Sequence, residues 1–235
     1  LFLDSFVDFD VAELIKTAKN EAKNKEWFSS SEFTVSPLAE AVIFTTSGSS
    51  GISKLLVYTH EALANCCQSW QNFGLFSPDL FGNPGFSPLF THTIGIRSFL
   101  NSIWSGNPFC IITIDWFLHK AEVVRYLLMK MRPGHLIAGP AFYNTMLELF
   151  RQFPELKTEM KQSLKAAISI GAPFDTKTYE KFKSATGISL MNAFGTTETL
   201  MVLLNLPEHG QQCLPHCLGR PIPGVTVGLK QTDEP

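Results

Sequence analysis

Short apolar runs alternate with helical patterns between residues 109 and 191, and this alternation restricts the fold more than any other feature of the sequence. The predicted strands cover 109–114, 136–138, 166–170 and 188–191, and the predicted helices cover 119–131, 141–150, 155–164 and 175–186. Strands that alternate with helices at this spacing pair in parallel, because each helix returns the chain to the same end of the sheet. We therefore predict an α/β fold in which a mostly parallel sheet is covered by helices on both faces.

The region before residue 109 is less regular. Helical spacing of apolar residues predicts an amphipathic helix over 11–26. The apolar run 41–44 predicts a buried strand, and 60–73 predicts a helix. Residues 75–95 are rich in Gly, Pro and Phe, which predicts no long element there, and a short helix is expected over 96–104.

A loop of small hydroxyl residues and glycines follows the run at 41–44. It reads Thr45-Thr46-Ser47-Gly48-Ser49-Ser50-Gly51-Ile52-Ser53-Lys54. Glycines let successive N–H groups turn toward a phosphate, and hydroxyls and a lysine add donors and positive charge. The loop is not a Walker A motif, because it lacks the Gly-Lys-Ser/Thr ending. Taken alone, the segment fits either a phosphate-binding loop or a flexible polar loop.

A second polar segment, 192–198, follows the predicted strand 188–191. Its hydroxyls and the Glu198 carboxylate are hard oxygen ligands that suit Mg²⁺ shared with phosphates, although a lone Glu is also common as a helix cap or a solvated charge. Phe194 is either a ring face for a planar base or a core aromatic. Ligands of parallel sheets gather beyond the carboxyl ends of strands, where we place the loops that begin at 45, 171 and 192.

Composition excludes several classes of function. Hydrophobic residues make up 45% and charged residues 17%, which supports a substantial core and argues against wholesale disorder. The net charge of −2 without a basic stripe argues against nucleic acid as the main partner. No apolar run approaches the length of a transmembrane segment. The odd number of cysteines, five, without framework spacing favours reduced thiols and an intracellular, cytoplasmic protein.

Five motifs occur in a fixed order over most of the chain. They are Thr46 to Gly51 with Lys54, a Pro-Leu-Phe stretch with His92 and Gly95, Gly171-Ala172-Pro173, Phe194-Gly195-Thr196-Thr197-Glu198, and the Gly-x-Pro-x-Pro-Gly at 219–224. Each motif is weak alone, but the ordered set resembles the AMP-forming acyl-activating enzymes. This superfamily contains acyl-CoA synthetases, beetle luciferases and the adenylation domains of peptide synthetases. The fold implied is the layered αβαβα core of the large domain of an acyl-CoA synthetase.

The resemblance implies a role for each matched residue. The ATP β- and γ-phosphates would be held by Thr46, Ser47, Gly48, Ser49, Ser50, Gly51 and Lys54. The adenine would be enclosed by Gly171, Ala172, Pro173, Asn192, Ala193 and Phe194, and the acyl pocket would be lined by Gly195 and Thr196. Among the catalytic residues implied, Thr197 would bond the α-phosphate, Glu198 would hold Mg²⁺, and His92 would lie near the substrate carboxylate.

The reaction that the resemblance implies is the activation of a carboxylic acid by ATP and Mg²⁺ to an acyl-adenylate, followed by thioester formation with CoA. The 20 Phe residues suggest a fatty or other apolar acid. One alternative is an adenylation domain that loads the phosphopantetheine of a carrier protein. The other is a non-catalytic nucleotide-binding homologue.

This sequence departs from the family pattern by one extra residue in Pro88-Leu89-Phe90-Thr91-His92 and by four substitutions. Ser53 and Leu55 replace the usual Pro and Gly, Ile170 stands where Gly is frequent, and Phe194 replaces the commoner Tyr. These changes predict a looser phosphate loop and a more crowded pocket. The resemblance also covers only the middle of the family's large domain. Its opening segment and its C-terminal small domain, which carries a catalytic Lys, are absent from residues 1–235, so we expect these residues alone to be inactive.

Overall fold

The computed structural model describes residues 35–46, 54–72, 85–87, 92–112, 114–206 and 216–229. The chain divides into a short unit, Leu1–Ala39, and a large unit, Glu40–Pro235. In the described part of the short unit, the N–H of Ala39 donates to the carbonyl of Ser36 in a turn. The helix predicted over 11–26 lies outside the described residues.

The described part of the large unit contains nine strands and seven helices. The strands are β1 (Glu40–Thr45), β2 (Leu55–Thr59), β3 (Gly85–Ser87), β4 (Phe109–Ile111), β5 (His135–Ala138), β6 (Ala166–Ile170), β7 (Leu190–Thr196), β8 (Leu200–Leu204) and β9 (Arg220–Pro221). The helices are α1 (His60–Asn72), α2 (Thr93–Ser105), α3 (Ile114–His119), α4 (Ala121–Met131), α5 (Pro140–Gln152), α6 (Pro154–Ser163) and α7 (Thr176–Thr186). Within these ranges no helix is both long enough and apolar enough to cross a membrane.

Seven of the described strands form one sheet in the order β4-β3-β5-β6-β7-β8-β9. Strands β4, β3, β5, β6 and β7 pair in parallel, and β8 and β9 add two antiparallel strands at one edge. Helices flank this sheet, which confirms the predicted α/β class. Strands β1 and β2 form a separate antiparallel pair.

The core lies where the central strands meet helices α5 and α7. All five residues of β6 are buried, as expected of a parallel strand covered on both faces. Tyr143 of α5 is fully buried, and its hydroxyl donates to the carbonyl of Ile168 at 2.5 Å. Its ring packs edge-on against Phe142 and Phe182. Tyr143 therefore holds helix α5 against strand β6 in the core.

The run at 41–44 is a strand, but it does not belong to the parallel sheet, so its predicted position was wrong. In β1 only Phe44 is buried, and Ile43 is 56% exposed. The partner strand β2 likewise exposes Leu55 and Val57. The apolar run resembles a buried strand in sequence, whereas among the described strands β1 pairs only with its hairpin partner β2. The first polar loop thus joins antiparallel strands.

Strand β7 extends beyond the predicted end at Met191 and contains Asn192 and Ala193, which we had placed in a loop. Both residues are buried, because β7 pairs with β6 on one side and β8 on the other. At Gly195 a Cβ would collide with the carbonyl of Leu200. The glycine therefore lets β7 and β8 approach closely and form a hairpin that turns at residues 197–199.

Two predicted element bounds need correction. The helix expected over 119–131 is α4, which begins at Ala121 because Lys120 leaves helical geometry at φ −124° and ψ 56°, and the short helix α3 precedes it. Strand β4 ends at Ile111, and Ile114 begins α3. Strand β3 lies inside 75–95, where we predicted no long element. It is three residues long, and at Gly85 a Cβ would meet the His135 ring of β5, so only a glycine permits this spacing.

Candidate functional site

Two adjoining clefts lie beyond the carboxyl ends of β6 and β7. The inner cleft, of about 180 Å³, is lined by Trp70, His92, Thr93, Ile94, Arg97, Ile137, Ile168, Ile170, Gly171, Gly195, Thr196, Thr197, Leu200 and Met201. The outer cleft, of about 210 Å³, is lined by Ile43, Phe44, Thr45, His92, Thr93 and Thr197. Because His92, Thr93 and Thr197 line both, a ligand in one cleft would approach a ligand in the other at these residues.

The outer cleft is bounded by the β1–β2 hairpin, whose neck holds both ends of the serine- and glycine-rich loop. The N–H of Thr46 donates to the carbonyl of Lys54 at 3.0 Å. In return, the N–H of Lys54 lies 3.4 Å from the Thr46 hydroxyl oxygen. Residues 47–51 of the predicted phosphate loop lie outside the described residues, so their roles stay predictions.

Tyr58 of β2 ties the hairpin to the turn after β7. Its hydroxyl donates to the carbonyl of Thr197 and lies 3.3 Å from the carbonyl of Glu198. The ring packs edge-on against Phe44 at 5.6 Å between centroids. Burial raises the pKa of the Tyr58 hydroxyl, so this group remains a protonated donor at neutral pH. The β1–β2 hairpin and the turn that begins at Thr197 are thus held together beside the outer cleft.

Replacing Tyr58 with Phe removes this tie and leaves the ring in place. We expect the free energy of unfolding of the intact protein to fall by about 1 kcal/mol, the usual net contribution of such a hydrogen bond. Urea denaturation measures the change. Tyr126→Phe is the matched control, because Tyr126 is 57% exposed on α4. Equal stability of both variants would show that the Tyr58 hydroxyl does not hold the hairpin.

The turn after β7 presents an ionised carboxylate. Thr196 and Thr199 exchange hydrogen bonds, with the N–H of Thr199 donating to the Thr196 hydroxyl oxygen at 3.2 Å. A hydrogen bond from the backbone N–H of Glu198 lowers the pKa of its carboxyl, and the Thr196 hydroxyl and the nearby Lys54 charge lower it further. Glu198 is therefore a solvent-accessible anion next to a cation from the opposite hairpin.

His92 begins helix α2 as its N-cap. The N–H of Ile94 donates to His92 Nδ1 at 3.3 Å, and the Thr93 hydroxyl lies 3.2 Å from the same nitrogen. Burial lowers the pKa of His92. A neutral ring with Nδ1 as acceptor also suits this position, because the positive end of the helix dipole disfavours an imidazolium. The cap extends the helix predicted over 96–104 back to Thr93.

The lowered pKa of His92 predicts a pH dependence of stability. The folded state holds the proton less tightly than the unfolded chain, so the contribution of neutral His92 is complete above the ordinary value of 6.5. It is lost as pH falls through the lowered folded value. His92→Asn keeps a capping acceptor without titrating. Below pH 6.5 we expect the wild type to lose stability relative to this variant in urea denaturation. Parallel pH profiles would contradict the prediction.

The remaining predicted residues divide into two groups. Gly171 ends β6 with φ +97°, a conformation that favours glycine, and lines the inner cleft with Gly195 and Thr196. Five residues assigned to the adenine side do not line either described cleft: Ala172, Pro173, Asn192, Ala193 and Phe194. Phe194 is 45% exposed, so it is not a core aromatic. Ile170 lines the inner cleft, where its side chain occupies space that a glycine would leave open.

Sequence reasoning missed Arg97 and Trp70, which both line the inner cleft. Arg97 is 5% exposed, and its guanidinium carbon lies 4.3 Å from the centroid of the Trp70 ring. A lone arginine inside a helical pattern usually marks a solvated face, so the residue raised no expectation. No sequence signal marks it, because Thr93 and Asn101, which lie four residues away on the same buried face of α2, are themselves polar.

The chain is similar to AMP-binding enzymes and CoA ligases. The profile of a family described as AMP-binding enzyme matches residues 4–235. The acyl-coenzyme A synthetase ACSM3 of Homo sapiens, a mitochondrial protein, is 23% identical over 199 residues, which cover 80% of this chain and 30% of that protein. The mitochondrial malonate–CoA ligase ACSF3 of Mus musculus is 27% identical over 203 residues, which cover 80% of this chain and 33% of that protein.

Solved structures share the fold. ATP-bound MatB from Rhodopseudomonas palustris aligns with a TM-score of 0.64 at 23% identity, covering 82% of this chain and 36% of that one. The chain spans about a third of the length of the curated relatives it matches.

Proposed function

The chain belongs to the AMP-binding enzyme family, and from this membership we propose that the intact protein activates a carboxylic acid with ATP and transfers the acyl group to CoA. The observation that carries the proposal is the junction of the two clefts at His92, Thr93 and Thr197. A nucleotide held on the hairpin side and an acid held on the sheet side would meet there.

In the proposed first step, an oxygen of the acid's carboxylate attacks the α-phosphorus of ATP. The bond from that phosphorus to the bridging oxygen breaks, and pyrophosphate leaves with the electron pair. Two anions must approach each other, so catalysis depends on positioning and on neutralising charge. The N-terminus of α2 supplies a positive helix end at the junction, and we assign the hydroxyl of Thr197, which lines the junction, as a donor to the α-phosphate.

The hairpin side would receive the β- and γ-phosphates. Lys54 supplies a cation at the hairpin neck, and we propose that the loop between Thr46 and Lys54 contributes N–H and hydroxyl donors. The hydrogen bond from the Tyr58 hydroxyl to the Thr197 carbonyl fixes the position of the hairpin relative to Thr197. We assign departing pyrophosphate to the same residues.

Glu198 fits a site for Mg²⁺, because it is an ionised, exposed carboxylate that follows Thr197 directly. Mg²⁺ in proteins is commonly bound by one or two carboxylates together with substrate phosphates and water. When bound, Mg²⁺ would offset the negative charge of the phosphates during attack. Lys54 on the opposite hairpin adds positive charge near the same carboxylate.

The inner cleft would hold the acid. Ile137, Ile168, Ile170, Leu200 and Met201 give it largely apolar walls, which supports an acid with an apolar carbon skeleton. Its volume of about 180 Å³ favours a short chain over a long fatty acid. We propose CoA as the acceptor, because the curated relatives are named as acyl-coenzyme A synthetases and CoA ligases. The four described cysteines are free thiols, which supports an intracellular location.

Acid-dependent exchange of labelled pyrophosphate into ATP tests the first step in the intact protein. We expect exchange with at least one short carboxylic acid, and AMP and a thioester after CoA is added. Thioester formation on a carrier protein but not on CoA would favour the adenylation-domain alternative. ATP binding without exchange for any acid would favour the non-catalytic homologue. Because the chain spans about a third of its curated relatives, we propose that residues 1–235 alone show no turnover.

A further inference from the structure

Arg97 of α2 is a buried cation that has no acidic partner in the described part of the chain. It is 5% exposed, and its Nε and Nη2 atoms have no hydrogen-bond partner among the described residues. The titratable groups near it are Cys66, Cys67 and Tyr58, and none of these is a carboxylate. The guanidinium therefore keeps unused donors below the surface.

A buried guanidinium is unfavourable unless its charge and its N–H groups are compensated. The Trp70 ring, 4.3 Å from the guanidinium carbon, offsets part of the charge but satisfies no donor in the guanidinium plane. One turn further along α2, the side-chain amide of Asn101 is also buried without a partner for either atom. The buried face of α2 thus has polar groups that the described residues leave unsatisfied.

The position of Arg97 shows which ligand could satisfy it. Arg97 lines the inner cleft with Ile168 and Ile170, and it does not line the outer cleft on the phosphate side. Thr197, at the junction of the clefts, marks where the reacting carboxylate would lie. A planar guanidinium with free donors matches a second carboxylate in bidentate geometry.

We propose that Arg97 binds a second carboxylate of the acid substrate, so that the protein activates a short dicarboxylic acid in preference to the monocarboxylic acid of equal length. This inference rests on the proposed function and makes its substrate class specific. The apolar walls would then contact the carbon chain between the two carboxylates. The substrate expected from the sequence, an apolar acid, is thus revised to an acid that is anionic at both ends.

Matched pairs of acids test the proposal on the intact wild-type protein without any substitution. Malonate is compared with propionate, and succinate with butyrate, by kcat/KM in pyrophosphate exchange. We expect the dicarboxylate of at least one pair to be preferred by about 10-fold or more. A monocarboxylate leaves the buried Arg97 cation unpaired, and this lowers its affinity for the cleft. Preference for the monocarboxylate in both pairs would overturn the proposal, while exchange itself would still support the proposed function.

Variants then assign the preference to the side chain. Arg97→Leu is expected to lower kcat/KM for the preferred dicarboxylate by about 100-fold, with a much smaller effect on its monocarboxylate partner. Arg97→Lys keeps the charge and is expected to retain part of the preference. Arg125→Leu is the matched control, because Arg125 also lies over an aromatic ring, that of Phe153 at 5.4 Å, and lines neither cleft.

Calorimetry separates this proposal from the proposed function. Malonate and succinate are titrated into the protein without ATP, with propionate and butyrate as controls. Binding of a dicarboxylate that Arg97→Lys weakens supports the Arg97 site even if no acid supports exchange. If Arg97→Leu fails to fold, the wild-type pairs and the lysine variant still decide. Dicarboxylate binding and preference unchanged in Arg97→Lys and Arg97→Leu would overturn the assignment.

Discussion

Glu198→Gln is expected to lower acid-dependent pyrophosphate exchange by about 100-fold, which corresponds to about 3 kcal/mol of transition-state stabilisation. The substitution keeps the size of the side chain and removes the charge that the backbone N–H, Thr196 and Lys54 stabilise. Since we assign the carboxylate to Mg²⁺, the Mg²⁺ concentration for half-maximal exchange is also expected to rise. Exchange assays at varied Mg²⁺ measure both effects.

Glu180→Gln is the matched control for this experiment. Glu180 is an exposed carboxylate on α7 and lines neither cleft. We expect its exchange rate and Mg²⁺ dependence to equal those of wild type. If Glu198→Gln behaves in the same way, the metal role of Glu198 is wrong. Unfolding curves for both variants separate a loss of chemistry from a loss of structure, and no large change in stability is expected for either exposed side chain.

Gly195→Ala is expected to have the largest effect on stability, a loss of about 2 to 3 kcal/mol in the free energy of unfolding. The added Cβ would collide with the carbonyl of Leu200 on the paired strand. The Leu200 carbonyl belongs to the backbone, so it cannot avoid the new Cβ by a change of side-chain rotamer. Strands β7 and β8 must therefore move apart. Because Gly195 and Leu200 both line the inner cleft, exchange activity is expected to fall as well.

A glycine without such a contact provides the comparison. Gly228 has nothing within 4 Å of the position that a Cβ would take, and Gly228→Ala is expected to change stability by less than about 0.5 kcal/mol. Urea denaturation of the two variants beside wild type measures the difference. Similar stabilities for both would show that β7 and β8 are not held together at Gly195 as closely as the structure indicates.

The regular part of the fold could be read from the sequence because local pattern and tertiary position agree there. Strand β6 was predicted with its observed ends, since an apolar run between polar breaks is also what a central parallel strand requires. Helix α7 likewise begins after the Asp175 cap and ends before Gly187 at φ +80°. These signals are short-range, and no distant contact opposes them.

Where the sequence misled, a distant contact decides the structure. Three-residue β3 lies between β4 and β5 because Gly85 permits close approach to His135, 50 residues away, and no local pattern records that. The β1 run is apolar, yet its partner is its own hairpin. In the site, the burial of Arg97 also depends on a distant contact, because the residue packs against Trp70 on another helix. Motif order identified the turns, whereas the cation inside the cleft required coordinates.

The hydrogen bond from Tyr58 to the Thr197 carbonyl joins residues 139 positions apart. Closing so long a segment is entropically costly, so we expect this contact to form after the pairing of nearer strands. During synthesis on the ribosome, a nascent chain that has not yet exposed Thr197 has no junction between the clefts. The growing polypeptide therefore completes this junction only after nearly the whole sheet has emerged.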